Sequence, residues 1–310
     1  MLGYITRRLL VAVPTILVII TVAFFMMRIA PGGPFDMEQP MPEQIRQNIL
    51  AHFGMDQPLW KQYVDYLAGL VRGDLGPSLK FRDKTVADII AEGFPISATI
   101  GLLSISLALM IGSVLGSLAA LRQNTAADFG VVGFATVGIV IPPFVVGPVL
   151  SLVVGIYLGW LPSGGLDPRH GMTIERLILP VVTLALPQIA IISRLMRASM
   201  IEVIRSNYIR TARAKGLSAG AVITRHAMRS AILPLVSYLG PAAAALLTGS
   251  IVIEQVFSLP GIGRQFVFAA LQRDYTVVMG VVILYASLII VLNLVADLLY
   301  AALNPKVKYD

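Results

Sequence analysis

Six stretches of at least 17 residues pass without one charged side chain: 9–27, 93–121, 129–166, 177–193, 230–253 and 275–296. A helix needs about 20 apolar residues to cross a hydrocarbon core about 30 Å thick. One such stretch fits the buried helix of a water-soluble protein; six do not. Each is predicted to be a transmembrane helix, in which a single segment satisfies its own backbone amides and carbonyls. The third stretch is too long for one helix, so Pro162, Gly164 and Gly165 are assigned to a loop after it. Composition agrees, since only 13% of the 310 residues are charged against about 25% in soluble domains.

The resulting map is an all-α integral membrane protein with helices at 9–30, 96–121, 128–158, 177–197, 232–254 and 275–303. Residues 31–95, 159–176 and 255–274 form loops on one side, and 1–8, 198–231 and 304–310 lie on the other. Arg7 and Arg8 before the first span resemble the start of a signal peptide. The apolar stretch exceeds the usual 7–15 residues of such a core, and Pro31 follows the one small-residue exit at Ala30, so it reads as a retained anchor.

Basic residues near span ends mark the cytoplasmic side. Arg7, Arg8, Arg122, eight basic residues from Arg194 to Arg229, Lys306 and Lys308 share one side with four acids, Asp128, Glu202, Asp297 and Asp310. The other side carries a small acidic excess. Both termini are therefore expected in the cytoplasm, and the basic face needs no nucleic acid to explain it: it adjoins anionic membrane lipid or a partner.

Between their flanking charges the spans hold no Asp, Glu, Lys, Arg or His. Carriers driven by protons or ions usually place ionisable groups at membrane depth, so a self-powered carrier is disfavoured. Pro142, Pro143, Pro148, Pro180, Pro187, Pro234 and Pro241 imply kinked helices around a cavity. No G-x-x-x-x-G-K-[ST] loop is present to cradle nucleotide phosphates. There is no cysteine, and His52, His170 and His226 stand in three separate loops, so no catalytic or metal site is expected.

The segment 200–234 is the most informative. Ile201, Ile204, Tyr208 and Ala212 recur at helical spacing, with Arg205, Arg210, Arg213 and Lys215 on other faces. Gly216 suits the left-handed turn that ends a helix, and Ser218 suits the N-cap of a second one running through Val222, His226 and Arg229. Such a basic amphipathic pair fits three roles: lying on anionic lipid, enforcing topology, or docking in a groove of a cytoplasmic partner.

Residues 208–217, YIRTARAKGL, resemble the cytoplasmic coupling loop of bacterial ATP-binding-cassette permeases of the dipeptide and oligopeptide class. Residues 24–35 (FFMMRIAPGGPF), 73–83 (GDLGPSLKFRD), 254–266 (EQVFSLPGIGRQF), 273–275 (RDY) and 297–309 (DLLYAALNPKVKY) look like landmarks of that class's B-type subunits, in the family's order from end to end. One departure stands out. The broad permease pattern of Glu-Ala-Ala, three residues and Gly falls on Arg210, Thr211, Ala212 and Gly216, and its later Ile-x-Leu-Pro falls on His226, Met228 and Arg229. Only Ala212 and Gly216 match.

The resemblance implies a type I importer permease fold with a permease core over 96–303, in the bacterial inner membrane. It implies a homologous C-type permease subunit as pore partner, two cytoplasmic ATPases that handle ATP and magnesium, and an extracytoplasmic peptide-binding protein. This chain would hold no cofactor of its own. Coupling to the ATPases would use Glu202, Asn207, Tyr208, Arg210, Thr211, Ala212, Arg213, Ala214, Lys215 and Gly216. The expected cargo is an oligopeptide or dipeptide; nickel chelates, glutathione and murein peptides are alternatives within the class, and a secondary carrier is an alternative outside it. The long outer loop, rich in aromatic and charged residues, is expected to meet the binding protein through Gly73, Asp74, Lys80 and Arg82.

Overall fold

The computed structural model describes residues 2–29, 32–35, 42–81 and 83–303; the expected C-terminal segment 304–310 lies outside them. Among the described residues the protein is all-α, with extended pairing limited to the isolated bridges Pro77–Thr85 and Asp167–Gly171.

Helix α1 spans Leu2–Ile29. Within the expected outer segment 31–95 lie two short helices, α2 over Glu43–His52 and α3 over Leu59–Val71, and α4 already begins at Val86. Thr85 starts α4 with a reciprocal cap, its hydroxyl accepting from the Asp88 amide while the Asp88 carboxylate accepts from the Thr85 amide. That cap explains why the helix starts ten residues before the expected 96 and runs 36 residues to Leu121, about 54 Å at 1.5 Å per residue.

The expected third span, 128–158, is two helices bent by 97°: α5, Ala126–Val140, and α6, Pro143–Leu150, which continues as a π-helical stretch Ser151–Tyr157. Pro142 and Pro143 supply no amide to the preceding turn, and the chain turns there. Helix α7 covers Ile174–Ile204, extending the expected 177–197 at both ends. The short helices α8 (Asn207–Ala214), α9 (Ala219–Ala221) and α10 (Met228–Ala231) follow, with a π-helical segment Val222–Ala227 between the last two. The expected span 232–254 corresponds to Leu233–Val256, with a local irregularity where Gly249 takes φ +84 between α11, Leu233–Leu247, and α12, Ile251–Val256. Helix α13, Ile262–Leu271, leads into α14, Tyr275–Leu303.

Glycines at the helix crossings bring the backbones of the bundle close together, as packing within lipid favours. A Cβ on Gly112 would stand 2.8 Å from Ile192 Cγ2, and one on Gly116 would run into the Ser193 carbonyl and Met196, so α4 and α7 meet almost backbone to backbone. Gly101 brings α4 equally near the Leu246 carbonyl of α11, and Gly240 brings α11 against Asn293 and Ala296 of α14. Helix α1 is peripheral and packs through Ile20 and Phe24 on α3 and Met279.

Val86 at the start of α4 packs on Gly280 near the start of α14, so both helices start at one end of the bundle. Arg205 beyond α7 donates to Gln123 beyond α4, and Arg8 pairs with Asp297 late in α14. The start of α1 and helix α8 therefore share the opposite end.

Candidate functional site

Helix α8 is short, and two side chains hold it. Ile209 and Ala212, spaced i and i+3, are buried in the main core together with Met200, Val222 and Ala227. Tyr208, at helical spacing from Ile201, Ile204 and Ala212 and expected among the coupling residues, is 44% exposed. Ser206 adopts extended φ −70, ψ 154, which ends α7 and resets the helical phase, so a stripe begun at Ile204 is not continued at Tyr208. Ile209 takes its place. Its spacing from Ala212 was readable, but only once the break at Ser206 is known.

The remaining expected coupling residues lie on the surface: Glu202 in the last turn of α7, then Asn207, Arg210, Thr211, Arg213, Ala214, Lys215 and Gly216. Ala212 faces inward, so it anchors α8 and cannot present a surface. Gly216 has φ +78 with open space where a Cβ would stand, which makes its glycine a backbone requirement. The Ser218 hydroxyl accepts from the Ala221 amide and starts the next helix. The result is a rigidly seated short helix with a basic outer rim of Arg210, Arg213 and Lys215, a shape suited to a complementary acidic groove.

Behind α8, Arg197 of α7 grips Asp128 of α5. Asp128 is 1% exposed and also accepts from the Asn124 amide at 2.9 Å. Sequence reasoning placed both charges at span ends; the helices continue past them, and the two are drawn together across 69 positions.

At the opposite end stands the turn 73–83. Gly73 and Asp74 are exposed at its tip, with the Asp74 carboxylate accepting from the Gly76 amide at 2.8 Å. Lys80 is half-buried over the Phe35 ring, and Arg82 lies outside the described residues. The turn borders a cleft of about 610 Å³ lined in part by Phe35, His52, Phe53 and Phe81. Its base is tied to Asp274, which accepts from the Ser78 hydroxyl at 2.5 Å and from the Leu79 and Lys80 amides. Under the turn, Tyr66 of α3 packs on Phe24, and burial pushes its phenol up to about 12. In the neighbouring loop, amides of His170 and Arg169 hold the Asp167 carboxyl below its usual range.

A third buried carboxylate sits between these ends. Glu254, 2% exposed, accepts from Ser97 of α4 at 2.6 Å and from the Arg264 amide at the start of α13 at 2.9 Å. The pattern PGIG at 260–263 marked a turn in the sequence; nothing local marked the carboxylate as its cap.

The family model of binding-protein-dependent transport system inner membrane components matches residues 112–309. The model of the N-terminal part of such membrane components matches residues 1–101. Oligopeptide transport system permease protein OppB of Haemophilus influenzae is 48% identical over 309 residues, covering 100% of both chains. OppB of Salmonella typhimurium is 49% identical with the same coverage. Dipeptide transport system permease protein DppB of Bacillus subtilis is 40% identical over 99% of this chain and 98% of its own. Among solved structures, the inward-facing methionine ABC transporter MetNI superposes with TM-score 0.56 at 18% identity, covering 70% of this chain and 96% of that one. An amino acid ABC transporter superposes with TM-score 0.50 at 16% identity, covering 71% and 95%. At such identities the two structures speak to the fold alone.

Proposed function

This chain belongs to the family of binding-protein-dependent transport system inner membrane components, and from that premise we propose that it forms one half of the pore of an ATP-driven oligopeptide importer. It is a multi-pass protein of the bacterial inner membrane and a permease subunit of an ABC importer. Full-length identity of 48–49% with two oligopeptide permeases carries the cargo reading, since the dipeptide permease stands at 40%.

The pore is completed by a homologous C-type subunit, and two cytoplasmic ATPases bind and hydrolyse ATP with magnesium. Helix α8 sits in a groove of one ATPase, presenting Tyr208, Arg210, Thr211, Arg213 and Lys215, with Glu202 and Asn207 at the rim. Its seating through Ile209 and Ala212 supports a lever that moves with α7 rather than a tether that absorbs the motion. Gly216 lets the chain reverse behind it. The positive-inside count puts this end in the cytoplasm. An extracytoplasmic peptide-binding protein delivers cargo at the other end, against the turn that carries Gly73, Asp74, Lys80 and Arg82. ATP closes the ATPase pair, and the spans shift between inward and outward openings according to the differential affinity of each state.

Reconstitution tests the reading. The chain and its pore partner are placed in vesicles with and without the ATPases, and uptake of labelled peptides of two to six residues is followed with the binding protein outside and ATP inside. Uptake that needs ATP and the ATPases, and that prefers peptides longer than two residues, is expected. Equal uptake without the ATPases rejects the ATP-driven machine, and preference for dipeptides rejects the cargo assignment alone.

A further inference from the structure

Three consecutive residues at the start of α14 hold two separate parts of the outer cap. Arg273, at φ 57, sends its guanidinium to the Gly33 carbonyl at 3.5 Å, and the Tyr275 hydroxyl donates to the Gly32 carbonyl at 2.8 Å. Between them, Asp274 is fully buried and turns the other way. Its carboxylate accepts from Ser78 Oγ at 2.5 Å, the Leu79 amide at 3.2 Å and the Lys80 amide at 3.3 Å, all from the turn after α3. The same carboxylate accepts from the Val277 amide at 3.3 Å, so it is also the N-cap of α14. Thr276 adds a second tie by donating to the Pro77 carbonyl at 2.6 Å.

The four donors to Asp274, one hydroxyl and three amides, are all neutral. A buried carboxylate served by such donors holds them tightly, because releasing any one leaves charge without compensation in a place water does not reach. The donors come from two elements nearly 200 residues apart in sequence. Loosening the turn therefore means uncapping α14, and shifting the outer end of α14 means dragging the turn.

We infer that Asp274 is a positioning residue for receptor docking: it makes the turn Pro77–Lys80 and the transmembrane helix α14 one mechanical body, so that a binding protein seated on the turn acts directly on α14. This rests on the reading above that the turn meets the binding protein, and it adds the route by which that contact enters the membrane. Gly240 sets α14 against α11 at close range, so a displacement of α14 is passed to the central helices rather than absorbed by soft side chains.

The test uses the complete transporter in nanodiscs with the peptide-loaded binding protein that copurifies with it. ATPase activity is titrated against binding protein for wild type, Asp274→Asn and Ser78→Ala, and amide exchange of residues 73–81 is followed with and without saturating binding protein. Asp274→Asn keeps the shape but sets an amide among donors. It is expected to raise the half-saturating binding-protein concentration about tenfold, the worth of one lost charge-assisted bond, while the rate at saturation stays within about twofold. Ser78→Ala, which leaves the carboxylate in place, is expected to raise it about threefold and serves if the Asp274 variant does not assemble. Half-saturation unchanged in both variants, with wild-type residues 73–81 protected by the binding protein, overturns the clamp and leaves the docking reading standing. Absence of that protection in wild type overturns the docking reading and the clamp with it.

Discussion

Arg197 meets Asp128 side-on, Nε to Oδ1 at 2.5 Å and Nη2 to Oδ2 at 2.7 Å, so that one planar fork closes α7 onto α5. Both geometry and charge recommend arginine here, since a lysine offers no paired donors for the two oxygens. Two turns further along α7 the chain reaches α8, so this fork ties the helix that leads into α8 to the bent span.

Removing Asp128 leaves a partly exposed guanidinium without its partner. Asp128→Ala is expected to cost about 1–2 kcal/mol, below the range for a fully buried pair because water can reach Arg197. It should also lower peptide taken up per ATP hydrolysed. Arg197→Lys should recover only part of both. Thermal unfolding in detergent and paired uptake and hydrolysis assays check this; an Asp128→Ala protein of wild-type midpoint and stoichiometry would remove the link.

Gly216 fails for a different reason, conformational rather than steric. Its φ of +78 costs an L-residue about 1–2 kcal/mol, although no atom stands near its missing Cβ. Gly216→Val is expected to insert normally but to hydrolyse ATP without matching uptake, and Gly216→Asn to be milder because asparagine tolerates the left-handed region. Equal behaviour of the two variants would show that backbone strain is not the cause.

Close approach of α4 and α7 predicts a graded packing response. Gly116→Val drives a side chain into the Ser193 carbonyl and Met196, with an expected loss of about 1–3 kcal/mol. Gly130 on α5 meets nothing within 4 Å in this chain, so Gly130→Ala should be neutral or gain up to about 1 kcal/mol in the isolated subunit. Unfolding midpoints of the purified variants decide, and a Gly116→Val protein as stable as Gly130→Ala contradicts the packing.

Glu254 and Ser97 form a small network rather than a lone bond, since Ser97 Oγ also accepts from the Ile262 amide at 2.9 Å. Glu254→Gln is expected to cost about 1–3 kcal/mol and Ser97→Ala about 1 kcal/mol, with the double variant costing less than the sum because the two share partners. Additive losses in a double-mutant cycle would dissolve the network into independent contacts.

The membrane helices were legible because charge-free runs are long-range and additive: no local detail cancels six of them. Their ends were not. Thr85 and Asp88 cap α4 amid charged residues that count against a span in any hydropathy window. At 142–143 the two prolines were readable as a kink, but the size of the bend depends on how α5 and α6 pack on α7. The break at Ser206 was not legible either, and with it went the seating of α8 on Ile209. The buried carboxylates were the least legible, because Asp128, Glu254 and Asp274 each find partners tens to hundreds of positions away, and a charge at a span boundary looks the same whether it points to water or inward.

Prolines at 142 and 143 have a cost that the bend alone does not settle. The carbonyls of Gly138 and Ile139 would ordinarily receive the amides four residues on, and neither proline has one to give. Hydrocarbon offers no donor, so oxygens left bare at that depth persist where moisture or a neighbouring chain can reach them. The elbow is thus the place along this otherwise oily span where two carbonyls lose their helical donors, and the fold around it has to keep them within reach of water or another polar group.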